Sequence, residues 1–235
     1  MNLGIVTSFY NGYEKFLTRW ASSICKLKIK PSMVVFVQSG KADKDIIIKV
    51  KIMFSKHNIK YRFVEIKEHK GMGYARNKAV RNCDTEWIMY LDVDDIIIET
   101  AINNLSKYEL KTDVICGGLL IKNIDGTENK KYFLTAQRSK VLKGMWCCCS
   151  HAIYRKKLWE LSPYIENNDF IDYPLWLGFA QFGARFLGIE KLLTIYMRRT
   201  DGHHLSMSKK DIVIMKKQKR NFIKYGVNSK WLKRK

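Results

Sequence analysis

The sequence predicts a mixed α/β fold: a mostly parallel sheet flanked by helices, followed by a basic helical tail. Three observations carry this. Strand-like and helix-like patterns alternate from residue 3 to residue 91, the order that a parallel sheet with crossover helices produces. Apolar residues make up 46% of the 235, enough to bury the core of one good-sized domain. Residues 207–235 are lysine-rich with one acid, Asp211. One domain is therefore expected over residues 1–206, with halves meeting at residue 105, and a basic amphipathic tail over 207–235.

Residues 3–9 read as a short buried strand, broken by Asn11-Gly12. Phe16, Leu17, Trp20, Ile24 and Leu27 recur at helical spacing, so a helix follows over 13–27. Residues 33–37 form a second apolar run, closed by Ser39-Gly40. Helical spacing returns over 45–57, and a third strand is expected over 61–66. Glycines open another helix over 71–82. Trp87-Ile-Met-Tyr-Leu91 is the fourth strand and runs directly into an acidic cluster. A helix capped by Asp95 is one expectation for residues 96–105. The second half is less regular. A strand is expected over 113–122, a turn at Asn123-Ile-Asp-Gly126 and a returning strand over 131–134. An aromatic-rich helix over 173–182 stops at Gly183. Residues 187–197 read as extended.

The six cysteines do not have zinc-ligand spacing, and the adjacent Cys147, Cys148 and Cys149 are poor disulfide partners. Reduced thiols in a reducing cytosol are expected. The first nine residues lack the basic leader of a secretory signal, and no run of residues is long and apolar enough to span a bilayer. The expectation is a cytoplasmic protein, peripheral to the inner face of a membrane at most. The net charge of +21, from 43 basic and 22 acidic residues, points to a polyanionic partner or anionic substrates.

In a parallel α/β sheet, ligands bind beyond the carboxyl ends of the strands. Thr7-Ser8, Gln38-Ser39 and Asp92-Val93-Asp94-Asp95 all fall there. Carboxylates this close repel unless a cation joins them. Oxygen ligands suit Mg²⁺ or Mn²⁺, which bridge to phosphate oxygens. The segment Gly73-Tyr-Ala-Arg-Asn-Lys-Ala79 opens a helix. A helix start with an arginine nearby is a good anion site; packing of the glycines is the competing explanation.

These motifs occur in a definite order: Leu3-Gly-Ile-Val-Thr-Ser-Phe-Tyr-Asn, Val37-Gln-Ser-Gly, Gly73-Tyr-Ala-Arg-Asn-Lys-Ala, Tyr90-Leu-Asp-Val-Asp-Asp and Asp172-Tyr-Pro-Leu-Trp-Leu-Gly-Phe-Ala. In that order they resemble the family 2 glycosyltransferases, which have a Rossmann-like GT-A fold. The resemblance covers about residues 3–206. It implies an inverting, metal-dependent transferase that uses a nucleotide-sugar, a UDP-sugar first among them. Residues 1–105 would bind the donor and residues 106–206 the acceptor. By position, Thr7, Ser8 and Ser39 would face the nucleotide. Arg76 would approach the base or diphosphate. Asp92 and Val93 would meet the ribose or the metal. Asp94 would be the main metal ligand, with His203, preferred over His204, completing the shell. Asp172 would be the general base, with Asp169 as its rival. Arg198 and Arg199 would hold diphosphate or be surface charge. The family has two acids where Gln38 and Ser39 stand here; either side chain can still hydrogen-bond, and Asp43 is a substitute from the loop.

The acceptor is expected to meet residues 130–182, which carry Trp146, His151, Tyr154, Trp159, Tyr164, Tyr173 and Trp176, most of them core by their spacing. A glycan or lipid-linked glycan is the first expectation. DNA bearing a hydroxymethylated pyrimidine is the second, and an inactive nucleic-acid- or membrane-binding relative the third. The basic tail suits an anionic membrane surface, nucleic-acid phosphates, or simple solvation.

Overall fold

The computed structural model describes residues 1–166 and 171–199, together with 216–217, 220–221 and 223–224, which are helical. The expected tail helix otherwise lies outside the described residues, as do Asp169, His203 and His204.

Four parallel strands carry the first half: β1 (Leu3–Tyr10), β2 (Met33–Ser39), β3 (Tyr61–Ile66) and β4 (Trp87–Tyr90). Between them run α1 (Leu17–Cys25), α2 (Lys44–Lys56) and α3 (Met72–Arg81). A 3₁₀ turn, Glu14–Phe16, precedes α1. Strands in the order β3-β2-β1-β4 are joined by right-register parallel pairs such as Ile5↔Val34 and Val6↔Tyr90. β2 is buried at every residue, so its continuous apolar run reflects two covered faces. Alternation sorts the two faces. Val6, Val35, Val37, Ile88 and Tyr90 pack with Ala75 and Ala79 of α3. Ile5, Val34, Phe36, Trp87 and Met89 pack with Trp20 and Ile24 of α1 and with Val50 and Phe54 of α2.

The second half extends the same sheet with β5 (Ile96–Ile97), β6 (Val114–Lys122), β7 (Glu128–Lys131), β8 (Ile153–Arg155) and β9 (Phe186–Met197). Among the described residues the sheet has nine strands, ordered β3-β2-β1-β4-β8-β6-β9-β5, with β7 on β6. β8 is antiparallel to both β4 and β6, while β6 and β9 are parallel. Helices α4 (Arg138–Leu142), α5 (Lys156–Leu161) and α6 (Asp172–Gln181) complete it, and α6 packs through Leu175, Trp176 and Phe179 against the face that holds α3.

Three expectations need correction. Residues 96–105 are not a helix. Ile96 and Ile97 pair with Ile195 and Thr194 of β9, because three consecutive β-branched isoleucines favour a strand over a helix. Asp95 is accordingly not a helix cap. The returning strand of the hairpin is Glu128–Lys131, earlier than residues 131–134, set by the tight turn that Gly126 permits at φ +84°. All six thiols are buried and free.

Candidate active site

The carboxyl ends of β1, β2 and β4 open into a cleft of about 510 Å³. Ser8, Ser39, Arg76, Asp92, Val93, Asp94 and Asp172 line it, with Tyr10, Tyr13, His69, Tyr90, Asp95, Tyr196 and Arg199. Thr7 does not. It is fully buried, and its hydroxyl meets no hydrogen-bond partner, because strand alternation turns it away from the face that Ser8 occupies.

The acidic turn is built at the end of β4. Leu91 N–H donates to Val6 O, and Asp95 N–H donates to Asp92 O at 3.0 Å. The turn thus brings Asp92 and Asp95 together over His151, while Asp94 faces Arg199. Arg19 donates to the Asp94 carbonyl at 2.7 Å and fixes the turn from α1's side.

Arg76 is the hub. It is 4% exposed, and its guanidinium lies 4.2 Å from the centre of the Tyr90 ring. It donates to Asp92 Oδ1 at 2.9 Å and pairs with Asp172 Oδ1. One buried cation therefore joins β4's turn to the first residue of α6. Burial disfavours its charge, but the two aspartates outweigh that and raise its pKa further. The neighbouring Asn77 holds the segment that leads to α6. Its side chain donates to Tyr164 O at 2.8 Å and accepts from Tyr164 N at 3.0 Å and Trp159 Nε1 at 2.9 Å. Gly73 lets this segment approach: a Cβ there would sit 2.1 Å from Ile165 O.

His151 was read from sequence as one of the aromatic acceptor residues; it is instead buried beneath the acids. Its Nε2 lies 3.3 Å from Asp92 Oδ2 and 3.0 Å from Asp95 Oδ2, and its Nδ1 lies 2.9 Å from Thr194 Oγ1. Burial pulls its pKa down, but the two carboxylates outweigh this and lift it to about 10. Burial also raises Asp92, yet Arg76 and His151 hold it at about 2. Burial raises Asp95, whose Oδ1 accepts from Met197 N at 2.9 Å while Oδ2 meets no donor in hydrogen-bonding geometry. Asp94 differs: burial and the charges of Asp92 and Asp95 lift it to about 6 against the pull of Arg199, 3.0 Å away. Arg199 rests on Phe16 at 4.2 Å and Tyr13 at 5.0 Å. Arg198 points elsewhere, donating to Asn123 at 3.2 Å.

At the other end of the cleft, Ser39 Oγ lies 3.0 Å from His69 Nδ1. Gln38 is turned inward and donates to Gly40 O at 2.7 Å, and Asp43 caps α2 by accepting from Asp45 N at 2.8 Å. Of the aromatics expected to meet an acceptor, Tyr154, Trp159, Tyr164, Tyr173 and Trp176 are buried, whereas Trp146 is 46% exposed.

His151 escaped the sequence reading because its partners lie 56 to 59 positions away on β4's turn. The signal available was its place just before an apolar run too short to read as a strand.

Comparison with known proteins agrees with this arrangement. The family model for glycosyl transferase family 2 matches residues 4–162. The chondroitin synthase of Escherichia coli is 26% identical over 217 residues, 90% of this chain and 30% of that one. The teichoic acid poly(glycerol phosphate) polymerase of Staphylococcus epidermidis is 26% identical over 142 residues, 59% of this chain and 18% of that one. The chain thus spans less than a third of either relative. Among solved structures, S. aureus TarS 1-349 in complex with UDP-GlcNAc superposes with a TM-score of 0.72 at 17% identity, covering 93% of this chain and 65% of that one. A Pyrobaculum calidifontis mannosyltransferase in complex with GDP-Man and Mn²⁺ gives 0.67 at 16% identity, covering 87% and 59%. These likenesses show a shared fold of the GT-A type, and with the match over residues 4–162 the chain belongs to glycosyl transferase family 2.

Proposed function

We propose that the chain is a metal-dependent, inverting glycosyltransferase. It takes a sugar from a nucleotide-sugar, a UDP-sugar first among candidates, and passes it to a hydroxyl of a glycan or lipid-linked glycan. One observation carries the reading: Arg76 joins Asp92, at the end of β4, to Asp172, at the start of α6, across one cleft. The names of the relatives, a chondroitin synthase and a teichoic acid polymerase, support a glycan or cell-surface polymer as acceptor.

The residues fit a divalent cation. Four carboxylates, Asp92, Asp94, Asp95 and Asp172, meet three cationic side chains, Arg76, His151 and Arg199. The surplus charge sits on hard oxygen donors, and burial with the charges of Asp92 and Asp95 lifts the Asp94 carboxyl to about 6, a repulsion that a divalent ion would relieve. Asp94 and Asp92 would hold the ion, with His203 as a further ligand. When bound, the ion stabilises the negative charge on the departing nucleoside diphosphate.

The chain's own residues then do the following. Ser8 and Ser39 belong to the strand ends that receive the nucleoside, with the backbone at Val93 beside it; Thr7, turned away from the cleft, supports β1 from behind. Arg76 orients Asp172 through Oδ1, leaving Oδ2 to accept the acceptor's hydroxyl proton. The acceptor oxygen bonds to the anomeric carbon as the bond from that carbon to the phosphate oxygen breaks, so configuration inverts. Arg76 and Arg199 supply positive charge near the diphosphate.

Release of nucleoside diphosphate from nucleotide-sugars, with and without Mn²⁺, tests the reading. Asp94→Ala is expected to abolish Mn²⁺-dependent donor binding. Asp172→Asn is expected to bind donor normally and lose transfer by about 100-fold or more. Normal transfer by the Asp172→Asn protein would remove Asp172 as the base.

A further inference from the structure

The cleft has two chemically distinct ends. One holds the carboxylates and Arg76. The other, over the ends of β1 and β2, holds Tyr10, Tyr13, Ser39 and His69. The Tyr10 ring is 43% exposed and lies 4.5 Å from Tyr13 and 5.6 Å from His69, centre to centre. Flat rings of this kind stack on a nucleobase. Polar groups that could read its edge are few. Gln38 is spent on Gly40 and Asp43 on α2. Ser39 is 2% exposed and spends its hydroxyl on His69 Nδ1 at 3.0 Å.

We propose that His69, oriented by Ser39, reads the donor's nucleobase by donating from Nε2 to the carbonyl at uracil O4 or guanine O6, so that uracil and guanine are accepted over cytosine and adenine. This rests on the nucleotide-sugar reading above and deepens it. The chemistry is as follows. Ser39 Oγ has His69 Nδ1 as its partner among the described residues. If Ser39 accepted from Nδ1–H, its own hydroxyl proton would be buried without an acceptor, which is the costlier arrangement. Donation from Ser39 to Nδ1 leaves that proton satisfied and puts the imidazole proton on Nε2. The opposite edge of the ring, turned away from Ser39, then presents a donor. Uracil O4 and guanine O6 accept such a bond; the amino groups of cytosine and adenine, at the same positions, do not.

Competition binding of UDP, GDP, CDP, ADP and inorganic pyrophosphate in Mn²⁺ tests it. The unaltered protein is expected to prefer UDP over CDP, and GDP over ADP, by about tenfold, the worth of one good hydrogen bond plus the cost of the mismatched pair. His69→Ala, at an exposed loop position, is expected to bring both ratios near one while leaving pyrophosphate affinity unchanged. Ser39→Ala is expected to reduce the ratios part way, and His69→Gln, whose amide donates, to restore part of them. Ratios that persist in His69→Ala, or that are absent in the unaltered protein, overturn the proposal while leaving the donor reading intact. Failure of all four nucleotides and of pyrophosphate to bind overturns the donor reading, and this inference with it.

Discussion

Single side chains in this cleft do more than one task, and Arg76 shows it best. It touches the acidic turn, the candidate base and an aromatic face together. Removing one partner of a buried ion pair leaves an uncompensated charge, which costs about 3–5 kcal/mol. Arg76→Met is therefore expected to lower unfolding free energy by about that amount in urea titrations, and to abolish donor binding as well. Arg76→Lys should recover only part of both, because one ammonium lacks the fork that spans two carboxylates. A variant as stable as the parent would show that Asp92 and Asp172 find other partners. Arg76 was legible in sequence as an anion-binding arginine at a helix start. Its pairing with Asp172, 96 positions away, was not, since spacing along one helix says nothing of the helix that packs beside it.

Among the elements, the sequence reading succeeded where a pattern ran long enough to have a period. The alternating elements through β4 were readable because β1, β2 and β4 are built on continuous apolar runs, β3 alternates, and each helix spans two turns or more. It failed for β8 and β5, three and two residues long, whose existence depends on neighbours in the sheet. The joint between β6 and β9 is a case of such dependence. Asp113, just before β6, accepts from Arg185 N at 3.1 Å and Nε at 3.0 Å, just before β9, and lies 3.3 Å from Arg155 Nε. Burial works to raise its pKa, but the Arg185 hydrogen bonds and charge outweigh this and lower it below the ordinary 3.8. A carboxyl with a depressed folded-state pKa contributes stability above its unfolded value and loses it as pH falls through the folded one. The melting temperature of Asp113→Asn should thus lie below the parent's at neutral pH, and the gap should close as pH drops below 3.8. A gap that stays constant down to pH ~2 would mean the amide's lost packing, not the charge, sets the difference.

Taken whole, the molecule is a strongly basic chain with an acidic hollow. The net charge is +21, while the cleft gathers four aspartates. Long-range attraction draws an anion toward the surface, and on the proposed reading a divalent cation among these aspartates would then meet the diphosphate. No helix among the described residues is long and apolar enough to cross a membrane. The protein is expected to co-sediment with vesicles of anionic lipid at low salt and to release them at about 0.5 M salt, where screening reaches within ~5 Å. Retention on vesicles at high salt would point to apolar insertion, and equal binding to plain duplex DNA would favour a nucleic-acid acceptor.

Strand β9 makes one element answer to both the scaffold and the site. It runs twelve residues from the Asp113 joint to the cleft, where Met197 grips Asp95 and Arg199 grips Asp94. It is paired with β6 as far as Met197, and its last residues stand at the rim of the cleft. For a designer, Met197 and Arg199 mark where sheet gives way to site: a change at either alters the surroundings of Asp95 or Asp94 directly, whereas a change in the paired stretch before them alters the scaffold.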